Sequence, residues 1–145
     1  MRISAKAEYA CVAMLELAAN YREPQPVRIK AIAEAQGIPP RFLVQILLQL
    51  KTAGLVTSVR GASGGYQLTR PPESISLAQI ITAIDDRTLM PRSALDEMDR
   101  RSAAVDALLG VWREIRAEEQ RALEQLTLAE LLRRAQQTNA LSYQI

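Results

Sequence analysis

The stretch VRIKAIAEAQGIPPRFLVQILLQLKTAGLV, residues 27–56, sets the fold of this chain. Its first apolar stripe ends at Gly37, a residue suited to the left-handed conformation that closes a helix. Pro40 suits the first position of a second helix, where its missing N–H leaves no bond unmade. The residues assigned to the buried face of that second helix are Phe42, Leu43, Ile46, Leu47 and Leu50. Two short helices joined by a glycine-containing turn form a helix-turn-helix unit.

The residues after this unit predict a β-hairpin. Residues 56–60, VTSVR, are β-branched and alternating, which is the pattern of a strand, and residues 66–69, YQLT, resume it. Between them lies GASGG, residues 61–65, a turn rich in residues that tolerate positive φ. A hairpin directly after a helix-turn-helix is a wing. The chain is therefore predicted to be mostly α with a small β-hairpin wing, a winged helix-turn-helix.

Helical periodicity continues on both sides of this winged unit. A first helix is predicted over residues 4–21, with Ser4 as its N-cap. Its expected buried stripe consists of Tyr9, Val12, Ala13, Leu15, Leu17 and Ala18. On the other side, a helix is predicted over residues 76–85, where Ser76 and Gln79 form a capping box.

The domain organisation follows from these elements. We expect a winged helix-turn-helix domain over residues 1–85, and a dimerisation helix with a C-terminal helix and tail over residues 102–145. Residues 86–101 between them lack periodicity and contain Pro91, so they are expected to form a loop.

The long helix, predicted over residues 102–126, carries an apolar stripe that one small domain does not cover. We expect it to pack against a second copy of the chain in a two-fold homodimer, with packing inside one chain as the alternative. The residues predicted for dimerisation are Val105, Leu108, Leu109, Trp112, Ile115 and Leu123. Thr127 and Glu130 then form a second capping box that starts a short final helix, and the tail 135–145 is expected to fray.

Charge and composition favour a binding protein over an enzyme. Residues 1–70 carry nine basic and four acidic side chains, whereas residues 71–145 carry nine basic and twelve acidic ones. A basic front half is typical of a head that binds a polyanion, although chance asymmetry is an alternative. The chain has no histidine, no glycine-rich phosphate loop and no nucleophile motif, so we expect no enzyme activity. The adjacent Asp85 and Asp86 are expected to be solvated surface.

Cys11 is the single cysteine, so the chain cannot form an internal disulfide, and an inert buried thiol is expected there. No apolar run approaches the roughly 18 residues that a membrane span needs. The start MRISAKAEYA lacks the layout of a secretory signal, and a cytoplasmic location is expected.

The second helix of a helix-turn-helix presents its N-terminal residues to base edges in the major groove. Arg41 is predicted to reach guanine, Gln45 adenine and Val44 a thymine methyl group. Contact with phosphate or solvent alone is the alternative for Arg41 and Lys51. Arg60 is expected to enter a narrow minor groove beside the glycine-rich turn, with a merely exposed hairpin as the alternative. The residues predicted to contact double-stranded DNA are Arg41, Val44, Gln45, Gln49, Lys51, Arg60, Gly61, Ser63, Gly64 and Tyr66.

These motifs resemble a known family, the Rrf2-type winged-helix transcriptional regulators, which include IscR-, NsrR- and CymR-like proteins. The similar segments are MRISAKAEYA (1–10), IAEAQGIPPRFLVQIL (32–47), AGLVTSVRGASGGYQLTRPP (53–72), ISLAQIITAID (75–85), Trp112 and TLAEL (127–131). The resemblance covers essentially the whole chain. It implies sequence-specific binding to a pseudo-palindromic DNA site as a homodimer, usually with repression, and a long helix that crosses to the partner. It also places Arg41, Val44 and Gln45 on base-reading positions and Arg60 on a minor-groove position.

The chain departs from the members of this family that bind an iron–sulfur cluster. Those members share three cysteines in the segment before the long helix. Residues 87–106 of this chain contain no cysteine. Ser93 and Asp99 stand near the first two positions, and Val105 or Asp106 near the third. A hydroxyl and carboxylates do not substitute well for thiolates, so no cluster and no other cofactor are expected. Glu8, where some relatives supply an acidic ligand, is expected to be exposed.

Two other readings stay open. The first is a protein-interaction module, in which an enzyme or a regulator acts as a co-regulator and docks on residues 87–101 and the C-terminal tail. The second is an oxygen-ligated or intersubunit iron site that uses Glu8, Cys11 or Asp99.

Overall fold

The computed structural model describes residues 2–85 and 93–143. The α-helices are α1 (Ala5–Ala19), α2 (Ile29–Gln36), α3 (Pro40–Thr52), α4 (Leu77–Ile84), α5 (Ala103–Gln125) and α6 (Leu128–Tyr143). One two-stranded antiparallel sheet consists of β1 (Val56–Val59) and β2 (Gly65–Leu68). Short 3-10 turns occupy Pro72–Ser74 and Ala94–Glu97, the second of them inside the segment expected to be a loop. The prediction of a mostly helical chain with a small hairpin wing is confirmed.

The helix-turn-helix forms as the sequence predicts. Gly37 ends α2 with a φ of 67°, in the left-handed region, and the amide of Ile38 donates to the carbonyl of Ala33 over 3.2 Å. Pro40 is the first residue of α3. These two residues therefore set both ends of the turn between the helices.

The hairpin is anchored to the rest of the chain through Val27. Val56 pairs with Leu68 and Val59 with Gly65 across the two strands. The amide of Val27 donates to the carbonyl of Tyr66 over 2.9 Å, and the amide of Tyr66 donates back over 2.8 Å. Gly65 has a φ of 154°, and a Cβ atom there would overlap the carbonyl of Val27. This close approach of two backbones requires glycine.

Helix α1 is the centre of the core. It contacts α2, α3, α4 and α6, and it turns a face of mostly small side chains toward them. The buried residues of α1 are Ala7, Ala10, Ala13, Met14, Leu17 and Ala18. The prediction that Tyr9 is buried is wrong, because its side chain is 36% exposed. Val12 and Leu15, which belong to the same predicted stripe, are only partly buried.

Helix α3 contributes Leu43, Ile46, Leu47 and Leu50, all fully buried. The prediction that Phe42 is buried with them is wrong, because its side chain is 40% exposed. Phe42 lies at the margin of the apolar face, where it stacks on Tyr9 of α1 with ring centroids 6.0 Å apart. Each ring thus covers part of the other.

The N-terminal caps of α4 and α6 lie at the junction of α4 with the C-terminal helices. Ser76 and Gln79 make the complete capping box of α4. The second predicted box is only half formed, because the amide of Glu130 donates to the Thr127 hydroxyl while the Glu130 carboxylate accepts from Arg133 and Arg134. The amide of Leu77 donates to the carbonyl of Leu126 over 2.8 Å, which ties the end of α5 to the start of α4. A backbone hydrogen bond therefore joins the start of α4 to the segment between α5 and α6.

The C-terminal helix α6 differs from the prediction of a short helix with a frayed tail, since it runs to Tyr143. Leu128 is fully buried in the same core as α1 and α3, and Leu132 packs against that core. Contact with the core thus anchors the first turns of α6, and the exposed residues 133–140 continue the helix from there.

Asp85 is not simply solvated surface, as expected from the sequence. Its carboxylate accepts hydrogen bonds from the Ser4 hydroxyl over 2.6 Å and from the Ser4 amide over 3.1 Å. Ser4 is the N-cap of α1, so a negative charge lies at the positive end of that helix. Asp86 lies outside the described residues.

We predict that Gly65→Ala lowers the free energy of unfolding by about 2 kcal/mol or more, because the new Cβ must displace Val27 or strain the backbone. Urea unfolding followed by circular dichroism measures the change. Ser63→Ala, at an exposed position of the same turn, is the control and should stay within about 0.5 kcal/mol of the parent. Equal stability of both variants would contradict the account of the Val27 contact.

Candidate nucleic-acid interface

The interface is built on the face of α3 that points away from the core. At 100° per residue, Arg41, Gln45, Leu48 and Thr52 lie opposite the buried leucines and isoleucine. All four are exposed. Val44, 54% exposed, flanks them on one side. The packed core therefore fixes which side chains of α3 face outward.

Arg41 is held in place by an aromatic stack. Its guanidinium lies over the ring of Phe42, 5.0 Å from the ring centroid, and Phe42 stacks on Tyr9. Such a cation–π contact at an exposed site is worth about 0.5–1 kcal/mol. The stack restricts the arginine near the N-terminal end of α3, which is the end that a helix-turn-helix presents to base edges.

Lys51 connects α3 to the wing. Its ammonium donates to the Ser58 hydroxyl of β1 over 2.7 Å. Val44 and Lys51 thus mark the flank of α3 that faces the hairpin. Gln49 lies on the other flank, half-buried, and its carbonyl oxygen Oε1 is buried with no hydrogen-bond partner among the described residues. Gln49 is therefore not part of the outward face.

The wing presents some of its predicted residues and uses others for support. Arg60, Gly61 and Ser63 are exposed at the turn. Gly64 is buried, and a Cβ there would overlap the carbonyl of Val59. Tyr66 is half-buried, and its backbone pairs with Val27. The tip of the wing is thus a thin, exposed loop that carries one arginine.

The charged side chains in this stretch of the chain are all basic. Residues 35–72, which include all of α3 and the wing, contain Arg41, Lys51, Arg60 and Arg70 and no aspartate or glutamate. A stretch of chain with cations and no carboxylate favours contact with a polyanion. The exposed Leu48 at its centre is the feature that sequence reasoning missed. Its apolar neighbours along the chain make it look like a core residue.

A second surface lies on α5. Leu108, Val111, Trp112 and Ile115 recur at helical spacing, and each is between 41% and 46% exposed. Val105 is half-buried. Leu109 and Leu123, which were also predicted for dimerisation, are buried within the single chain, and Leu123 packs against Ala78 and Ile81 of α4. The apolar stripe is therefore divided between an inner side and an exposed side.

Comparison with known proteins gives a consistent set of matches. The profile of the Rrf2 family, described as an iron-dependent transcriptional regulator, matches residues 3–134. A putative HTH-type transcriptional regulator of Mycobacterium tuberculosis is 45% identical over 132 residues, which cover 90% of this chain and 81% of that protein. A putative HTH-type transcriptional regulator of Synechocystis is 39% identical over 132 residues, which cover 90% of this chain and 87% of that protein.

Solved structures agree with these sequence matches. CymR of B. subtilis, described as the global cysteine regulator, superposes with a TM-score of 0.79 at 32% identity, over 91% of this chain and 96% of CymR. IscR of T. potens superposes with a TM-score of 0.73 at 34% identity, over 93% of this chain and 88% of that chain. The relatives and structural neighbours are transcriptional regulators, and the chain is not an enzyme.

The iron dependence in the family description can be tested against the donors present. Cys11 is the single cysteine of the 145 residues, and the chain has no histidine. Burial, together with the smaller effect of the nearby charges of Glu8 and Asp85, raises the pKa of the Cys11 thiol to about 11. Iron–sulfur clusters need several thiolates. The side chains of this protein therefore do not fit such a cluster.

The described parts of the chain also lack a set of ligands for any other metal site. Over residues 2–85 and 93–143, no three histidine, cysteine, aspartate or glutamate side chains are grouped so that they could hold a metal ion. Glu8 is exposed, as expected. Within the same ranges, no helix combines the length and the apolar character needed to cross a bilayer.

The raised pKa predicts that Cys11 is unreactive near neutral pH, because only the thiolate is nucleophilic. Alkylation of the folded protein by iodoacetamide should be slow at pH 7.5 and should accelerate up to about pH 11. In denaturant the same thiol should titrate near the ordinary cysteine pKa, which serves as the control. Equal rates for folded and denatured protein at pH 7.5 would show that Cys11 is not shielded.

Proposed function

The chain belongs to the Rrf2 family of transcriptional regulators, and we propose that it binds double-stranded DNA sequence-specifically as a cytoplasmic homodimer that carries no iron–sulfur cluster. The observation that carries this proposal is the outward face of α3. It combines Arg41 and Gln45 with the exposed wing, on a part of the chain that has no carboxylate. An α-helix with such a face fits the major groove of B-DNA.

Within this proposal, each exposed residue has a distinct role. Arg41 pairs with guanine O6 and N7, and Gln45 pairs with adenine N6 and N7. Lys51, beside the wing, contacts a phosphate, which adds affinity but no sequence information. Arg60 enters the minor groove next to the thin tip formed by Gly61 and Ser63. Gly64 and Tyr66 act indirectly by holding the hairpin in shape.

Dimerisation through α5 supplies the second half of the interface. The exposed side of α5, with Leu108, Val111, Trp112 and Ile115, is an apolar patch of the kind that marks a protein contact. With 23 residues, α5 is about 35 Å long. A two-fold pair of such helices would place two α3 helices on major grooves about 34 Å apart, on a pseudo-palindromic site.

We propose repression as the mode of regulation. A dimer bound to two half-sites about one helical turn apart at a promoter would compete with polymerase for the same DNA. The poor set of iron donors supports a regulator that works without a cluster, through another signal or through its own concentration.

The base-reading roles predict two different mutant phenotypes. Arg41→Ala and Gln45→Ala should each remove about 1–3 kcal/mol of discrimination at one base pair of each half-site. Lys51→Ala should weaken binding to all sequences alike and reduce the slope of log K against log salt by about two, since a dimer carries two copies. Selection of sites from random duplexes, followed by titrations at several salt concentrations, measures both. If all three variants select and bind DNA as the parent does, α3 is not the reading helix.

The dimer predicts a change of mass when charge enters the exposed side of α5. Light scattering should give twice the 16.1 kDa of one chain for the parent. It should give one chain for Trp112→Glu combined with Ile115→Glu, because two like charges per chain would have to be buried. Arg121→Glu introduces a carboxylate in place of a cation at an exposed position away from this side of α5, and that variant should remain dimeric. A double variant that stays dimeric would exclude this side of α5 as the interface.

A further inference from the structure

Leu48 is the most exposed of the large apolar side chains in the described parts of the chain, at 60%. It lies one helical turn after Val44, which is 54% exposed, so the two side chains are neighbours on the surface of α3. Together they form an apolar strip, here called the Val44–Leu48 pair. A single exposed apolar side chain is ordinary, but two adjacent apolar side chains on a predicted contact surface indicate that a partner covers them.

The basic side chains beside the Val44–Leu48 pair limit the class of partner that can cover it. Arg41 and Gln45 border the pair on the outward face, and Lys51 borders it toward the wing. No carboxylate lies between residues 35 and 72. An apolar protein partner would have to desolvate these cations without neutralising them, which is unfavourable. Duplex DNA neutralises them with its phosphates.

The major groove of DNA offers one apolar group, the C5 methyl of thymine. We propose that the Val44–Leu48 pair reads thymine methyl groups, with Leu48 as a specificity-determining residue of α3. This inference rests on the proposed DNA binding by α3 and adds the class of base that the pair selects. Val44 and Leu48 are four residues apart, about 6 Å along the helix. The pair therefore spans on the order of two base-pair steps, at about 3.4 Å each.

The apolar contact would also strengthen the neighbouring polar contacts. A methyl group seated on Leu48 excludes water from the groove floor beside Arg41 and Gln45. Hydrogen bonds and charge contacts are stronger where water is excluded. The pair would thus raise selectivity both at its own thymines and at the adjacent polar contacts.

The test uses deoxyuridine, which differs from thymidine only by the missing methyl group. A preferred site is first selected from random duplexes with the full chain, and each thymine in that site is then replaced singly. At the thymine that contacts Leu48, the parent protein should lose affinity about fourfold, the equivalent of about 0.8 kcal/mol for one buried methyl group. Leu48→Ala should bind the thymine and uracil duplexes alike at that position, because the contact is already lost.

Two controls separate this effect from general damage. Met98→Ala removes another large, exposed apolar side chain, from the segment before α5, and should keep the full sensitivity to uracil. A duplex with 5-methylcytosine, paired with guanine, in place of the critical thymine should bind the parent better than the same duplex with unmodified cytosine. Both methyl groups occupy the same point of the groove.

The outcomes distinguish the inference from the function on which it rests. If the parent selects a site but binds every uracil-substituted duplex as tightly as the original, the methyl-reading role is wrong and DNA binding stands. The same conclusion follows if Leu48→Ala keeps the full loss on uracil substitution. If no duplex is preferred in the selection, sequence-specific binding itself is wrong, and the role of Leu48 falls with it.

Discussion

The packing of one face of α3 against α1 is the contact on which the rest of the structure depends. Leu43, Ile46, Leu47 and Leu50 are completely buried, and burial of each such side chain contributes about 1.5–3 kcal/mol. Their burial fixes the rotation of α3 about its own axis. Once that rotation is fixed, the residues on the opposite face of α3 must point away from the core. The set of side chains on the outward face is thus a consequence of how the inward face is filled.

Helix α1 also links parts of the chain that are distant in sequence. Ser4 at its start is bonded to Asp85 at the end of α4, and Tyr9 one turn later stacks on Phe42 beside Arg41. Helix α1 is therefore in contact both with the end of α4 and with the start of α3.

Sequence patterns predicted those features that local chemistry determines. Gly37, Pro40 and the Ser76–Gln79 capping box each reflect a backbone requirement that one or two residues satisfy, and all three occur as expected. Periodicity could not locate the edge of a buried face, so Phe42 was assigned to the core. The length of α6 could not be predicted because its polar tail follows residues that pack on α1. The exposure of Leu48 is consistent with the helical period of α3, which places it opposite Leu43, Ile46, Leu47 and Leu50, but its apolar side chain gives no reason to expect a functional role.

The most direct test of the central claim, that the outward face of α3 lies in the major groove and the wing tip in the minor groove, is a dimethyl sulfate footprint on the selected site. The reagent methylates guanine N7 in the major groove and adenine N3 in the minor groove. The account predicts two clusters of protected guanine N7 atoms about one helical turn apart, with protected adenine N3 atoms beside each. Guanines that remain fully reactive across a saturated site would contradict it.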